Sequence, residues 1–163
     1  MTNSKPRSVP LPLSATAPAI NPQVWYAQGL HFECSQCGNC CSGAPGYVWV
    51  TLEDMDRIAA LLNMPFDEFT RTYVRRVGER YSLREKPNYD CVFLTRDASG
   101  KSGCAVYHAR PMQCRTWPFW KDNLKSPSAW ERAATKCPGM RDKEAPHYSL
   151  EHIETCRQHP ESP

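Results

Sequence analysis

The sequence predicts an α+β fold, a small single domain stabilised by metal, with two helices and a short β-hairpin between flexible tails. Three observations predict it. Four cysteines fall within the eight positions from Cys34 to Cys41, a density that indicates a metal site rather than scattered core thiols. Apolar residues recur at helical spacing from Leu52 to Leu62 and again from Phe66 to Val77. Two runs of strand-forming residues, one starting at Cys91 and one at Cys104, flank a Gly/Ser-rich loop. A chain of 163 residues fits one compact domain, and its modest core lets metal cross-links contribute much of the stability.

Residues 1–24 read as a disordered tail, with Pro6, Pro10, Pro12 and Pro18 and no periodicity. Residues 25–140 form the cysteine-cluster domain, and 141–163 a polar C-terminal extension. Within the domain, Gly46 to Val50 is a short strand candidate. Thr51 then starts the first helix, with Asp54 three residues on in an arrangement close to a capping box. Pro65 sits near the first turn of a second helix, which runs until Gly78. Arg71, Arg75, Arg76 and Arg80 lie on its other face. With Asp67, Glu68 and Glu79 beside them, they read as a solvated face in preference to a nucleic-acid surface. Tyr81 to Leu83 begins the strand region. A symmetric hairpin centred near Ser99 puts Cys104 opposite Leu94 and Cys91 opposite Tyr107, with the two sulfurs well separated on different faces: either they serve different metal sites, or a bulge or register shift brings them together. Pro111 opens a short helix that ends before Pro118 and turns Cys114 toward the cluster. A last short helix is weakly patterned from Ser149 to Gln158.

Metal chemistry follows from the cysteine spacing. Cys34, Cys37 and Cys40 keep the C-x2-C-x2-C spacing of ferredoxin-type loops, while any C-x2-C pair serves zinc equally well. Gly38 suits the turn because it adopts positive φ without strain. In extended backbone the neighbours Cys40 and Cys41 point to opposite faces, so one of them is expected to serve a second site. A disulfide between them or a buried free thiol are the bland alternatives. Cys91, Cys104, Cys114 and Cys137, the last followed by proline, complete eight candidate ligands. Arg110 and Arg115 are natural donors to thiolates or to an anionic ligand, and equally to structural ion pairs. Trp117, Phe119 and Trp120 read as an apolar shell around the metal, or as plain core. Cys156, His147, His152 and His159 read as exposed tail residues in preference to auxiliary ligands, because no paired ligand spacing supports the latter.

Composition excludes several classes. The formal charge of +3 is too small to argue for nucleic acid as a partner. No stretch reaches membrane-spanning length, and no N-terminal segment has the basic start and apolar run of a signal peptide. The cytoplasm is therefore the expected compartment, where clustered cysteines bind metal rather than pair as disulfides. Dinucleotide, phosphate-loop and H-E-x-x-H motifs do not occur.

With Cys34-x2-Cys37-x2-Cys40-Cys41, then Cys91 and Cys104, Tyr107-x2-Arg110-Pro111-x2-Cys114-Arg115 and Cys137-Pro138-Gly139, the sequence resembles the CxxCxxCC family of zinc- or iron-chelating domains. Its short bacterial members are called YkgJ-family cysteine cluster proteins. The resemblance spans about residues 32–140 and implies metal binding by Cys34, Cys37, Cys40, Cys41, Cys91, Cys104, Cys114 and Cys137. It leaves Cys156 outside the pattern. A larger relative, the flagellin lysine methylase, is similar in its cysteine cluster and is associated with iron-sulfur chemistry and methyl transfer. The expected cofactor is zinc or iron, the iron either as an ion or in an iron-sulfur cluster. Two alternatives stand beside simple metal binding. One is an iron-sulfur enzyme or accessory protein in redox or methyl-transfer chemistry. The other is a zinc-stabilised module that binds a protein or nucleic-acid partner.

Overall fold

The computed structural model describes residues 20–43 and 45–159. Most of the proline-rich segment read as a tail lies outside the described residues. The architecture is α+β, as the sequence predicts, with small antiparallel sheets and short helices packed around two hydrophobic cores. Among the described residues, no helix is long and apolar enough to cross a membrane.

The first core joins the two ends of the described chain. β1 (Leu30–His31) pairs antiparallel with β7 (His147–Tyr148), and between them come the helices α4 (Lys121–Leu124) and α5 (Pro127–Ala134). Ser126 caps α5, accepting from the Ala129 amide, and Pro127 occupies the first turn, where a missing N–H costs nothing. Tyr26, Phe32, Phe119, Trp130 and Ile153 fill this core, with the Phe119 and Trp130 rings stacked 6.1 Å apart. Neither α4 nor α5 is anticipated by the sequence reading, because helices of four and eight residues show little periodicity.

The helix α6 (Leu150–Gln158) completes the first core. Ser149 caps it, and it buries Ile153, Glu154 and Cys156. The expectation that Cys156 is an exposed tail residue is therefore overturned, since it is 1% exposed. Burial pushes its thiol up to about 12, while the positive charge of Arg115 pulls the other way. Glu154 is tied down by Tyr26, Arg157 and Gln158, with the Tyr26 hydroxyl donating at 2.6 Å.

The second core lies under α1 (Leu52–Leu61), α2 (Phe66–Tyr73) and a three-stranded sheet of order β2-β4-β3, in which β2 is Trp49–Val50, β3 Val74–Val77 and β4 Arg80–Leu83. The capping box of α1 forms in full, with Thr51 and Asp54 exchanging side-chain to backbone hydrogen bonds. Met55, Ile58 and Ala59 face Phe69, Leu83, Phe93 and Val106. The second helix stops earlier than the sequence predicts. Val74 is extended, and Val74–Val77 pairs with β4 across the turn at Gly78, whose φ is +61°. Phe69, Tyr73 and Val77 fit a helical repeat, but a β-branched Val-Arg-Arg-Val run next to a glycine turn gains more from the ladder. The supposed arginine face of one helix is thus divided. Arg71 stays on α2, while Arg75, Arg76 and Arg80 stand on strands. Arg75 binds Glu85 at 3.1 Å, and Arg80 lies 4.1 Å over the Trp49 ring.

A second hairpin pairs β5 (Leu94–Arg96) with β6 (Ser102–Cys104). Its register sets Leu94 opposite Cys104, as expected for a hairpin centred near Ser99. Cys91, however, is not part of the strand and does not face Tyr107. It makes a bridge with Glu85, and the Leu94 amide donates to its carbonyl at 2.9 Å, closing a turn.

Candidate metal centre

The loop carrying the first four cysteines is shaped by two left-handed residues. Gln36 and Gly38 have φ of +54° and +78°, and a short 3-10 turn follows over Asn39–Cys41. The Gly38 carbonyl accepts from the Cys41 amide at 2.9 Å and from the Ser42 hydroxyl at 3.1 Å. This turn corrects the expectation that Cys40 and Cys41 diverge. Because the backbone there is wound and not extended, the two sulfurs lie 3.7 Å apart.

Each later cysteine segment is fastened to this loop. The Cys41 carbonyl accepts from the Cys91 amide at 2.7 Å. Gly38 abuts the β5–β6 hairpin so closely that a β-carbon there would stand 2.9 Å from Leu94 and Ser102, next to Cys104. The Asn39 side chain donates to the Lys136 carbonyl at 2.7 Å, one residue before Cys137. Glu33, one residue before Cys34, donates its amide to the Gly139 carbonyl at 3.3 Å. Gly139 must be glycine here, since a β-carbon would overlap the Glu33 carbonyl. Asn39 and Gly139 are contributors that the cysteine spacing does not reveal. Cys114 comes from α3 (Met112–Thr116), the short helix expected after Pro111.

The sulfurs adjoin both cores. Cys34 and Cys137 pack on the first core, Cys91 and Cys104 on the second. Cys137 accepts a hydrogen bond from the Trp117 indole at 3.5 Å, and its thiolate is disfavoured first by burial and then by the charges of Cys37 and Cys40. Burial also raises Cys91, Cys104 and Cys114, and neighbouring sulfurs add to each: Cys40 acts on Cys91, Cys91 on Cys104, and Cys40, Cys91 and Cys104 on Cys114. Cys40 is lowered to about 7, chiefly because the Cys41 thiol donates to it, against an opposing effect of burial. Cys41 is raised by that same hydrogen bond, then by burial.

A family model matches residues 33–138, a span containing all eight of these cysteines and excluding Cys156. The chain belongs to the CxxCxxCC family, whose model is described as a "putative zinc- or iron-chelating domain". The chain is also similar to the uncharacterized protein MJ0661 of Methanocaldococcus jannaschii, with 34% identity over 94 residues. That match covers 58% of this chain and 48% of the relative, so the chain spans about half the length of this curated relative. No solved structure matches the chain.

The donor chemistry of the CxxCxxCC domain fits a thiophilic ion. Six of its eight cysteines are half-buried, Cys137 is buried and Cys40 is exposed. Thiols that raise one another cannot all ionise unless a cation gathers them. The Cys40–Cys41 separation of 3.7 Å matches the edge of a tetrahedral four-sulfur site, which is about 3.8 Å for metal–sulfur bonds of about 2.3 Å. The sulfurs are neighbours without being closed around a point: among the described residues, no three Cys, His, Asp or Glu side chains are gathered as a metal-holding set. Arg110 favours ionisation of Cys40, Cys104 and Cys114, and is held by its stack 3.8 Å over Tyr107. Arg115 is turned elsewhere, toward Asp54 and Arg57. Of the expected aromatic shell, Trp117 reaches a sulfur. Trp120 donates to the Gln113 carbonyl, and Phe119 lies in the first core. The histidines have other partners: His31 and His147 bind backbone carbonyls, His108 packs on Tyr107, and His152 packs on Tyr148.

Proposed function

We propose that the CxxCxxCC domain binds zinc or iron through Cys34, Cys37, Cys40, Cys41, Cys91, Cys104, Cys114 and Cys137. The observation that carries this reading is the attachment of the 34–41 loop, by hydrogen bonds and a glycine contact, to the segments bearing Cys91, Cys104 and Cys137. A loop with four thiols and little apolar surface gains stability there if an ion draws the sulfurs together and takes up their charge.

Cys34 and Cys137 border the first core and Cys91 and Cys104 the second, and the charge of Cys40 reaches Cys91, Cys114 and Cys137. The contact between Cys40 and Cys41 supports both sulfurs on one metal atom. That favours four-sulfur zinc or mononuclear iron over a cubane cluster, whose irons each take one cysteine. When bound, the ion supplies positive charge and cross-links. The protein supplies the Trp117 hydrogen bond to Cys137 and the Arg110 charge, which stabilise thiolates, while the two cores limit water.

Metal analysis of parent and Cys91→Ser chains tests the reading. The parent should retain zinc or iron through gel filtration, and the variant should lose metal and melt lower. Equal metal content and equal melting in the two would defeat it.

A further inference from the structure

Cys40 is exposed as a residue, yet its sulfur is turned inward, 3.7 Å from that of Cys41, and burial opposes ionisation of its thiol. Its charge also bears on Cys91, Cys114 and Cys137. Two hydrogen bonds fix that position. The Cys41 carbonyl accepts from the Cys91 amide, and the Asn39 side chain donates to the Lys136 carbonyl, beside Cys137. Cys40 thus has four sulfur neighbours, of which Cys91 borders the second core and Cys137 the first. A tetrahedral four-sulfur site gives each of its sulfurs only three. One ion therefore cannot hold Cys40 together with all of its neighbours.

Resting on the metal-binding reading above, we infer that the centre takes two divalent thiophilic ions and that the Cys40 sulfur bridges them. A thiolate bonded to its β-carbon keeps lone pairs enough for both metal bonds. One ion takes Cys40, Cys41, Cys91 and Cys114, whose charges act on one another. The other takes Cys37, Cys40 and Cys137, and its last position falls to the neighbouring pair Cys34 and Cys104. Sharing one sulfur brings both ions to four-fold coordination with one ionised thiol fewer. That saving matters where burial opposes the thiolates of Cys91, Cys104, Cys114 and Cys137.

The test loads the full chain with Co2+, a paramagnetic ion that accepts tetrahedral thiolate sites, and measures bound cobalt before recording electron paramagnetic resonance. Two cobalt ions per chain should bind at saturation. A shared sulfur couples their spins, so most of the signal of two mononuclear tetrathiolate cobalt ions should be lost. Saturation at one cobalt per chain would overturn the inference. Two cobalt ions with the full signal of independent sites would overturn it too. Cys40→Ser should bind less cobalt than the parent and show no coupled pair. A coupled pair kept in that variant would move the bridge to another sulfur and overturn the role of Cys40, and the parent titration decides the two-ion centre whether or not the variant folds. A parent chain that binds no cobalt defeats the metal-binding reading itself, and the measured cobalt content separates that failure from the others.

Discussion

A methyl group at Gly139 would overlap the Glu33 carbonyl, the point where the segment after Cys137 crosses the segment before Cys34. Gly139→Ala must therefore push these strands of chain apart. A loss of about 1–3 kcal/mol is expected from such overpacking, together with reduced metal content. Gly46→Ala is the control, because a β-carbon there meets nothing within 4 Å. Urea unfolding and metal analysis of the two variants check both statements. Glu154 makes a separate prediction. Burial opposes its ionisation, but hydrogen bonds from Arg157, Tyr26 and Gln158 outweigh that and hold its carboxyl below the usual range. A group with a lowered folded-state pKa contributes stability that is present above its unfolded value, about 4.3, and is lost as pH falls through the folded value. The stability difference between parent and Glu154→Gln should accordingly be constant near neutral pH and shrink once pH drops below about 4. A difference that grows on acidification would contradict this assignment.

At the scale of elements, α1 carries no cysteine and is set by local signals, so its stability and the metal site can be separated. Thr51→Ala removes one half of the capping box and should cost about 1 kcal/mol. Its metal content should stay at the parent level, checked by chemical denaturation and elemental analysis side by side. That locality also explains why α1 is legible in the sequence: cap, periodicity and terminus all lie within a dozen positions. The Leu94–Cys104 register is legible for a similar reason, because a symmetric hairpin leaves little choice. Val74–Val77 is not, since Tyr73 and Val77 satisfy a helical repeat and only the pairing with Arg80–Leu83 decides against it. Spacing and resemblance nominate eight cysteines, but not how the fold arranges them. The Cys40–Cys41 contact needs a 3-10 turn where extended backbone is the simplest assumption, and Cys91 needs a turn that ends at Leu94. Cys156 was hidden because α6 has a mostly polar sequence, Leu-Glu-His-Ile-Glu-Thr-Cys-Arg-Gln, whose burial depends on docking against Tyr26 and Phe119.

Over the whole molecule, two small cores lean on one loop, which packs on the first core at Cys34 and binds the second core's edge at Cys91. Neither core is large, so an ion at their junction should stabilise both together. Free metal at a thousand times its dissociation constant adds about 4 kcal/mol to folding. Stripping the ion with a chelator should thus lower the melting temperature in a single transition that returns when zinc is restored. The most direct measurement is the zinc, iron and acid-labile sulfide content, with an absorption spectrum, of tag-free protein purified without oxygen. The account predicts zinc or iron bound at one or more per chain with little or no labile sulfide. A chain that retains no metal, and whose cysteines react as quickly folded as unfolded, would contradict it.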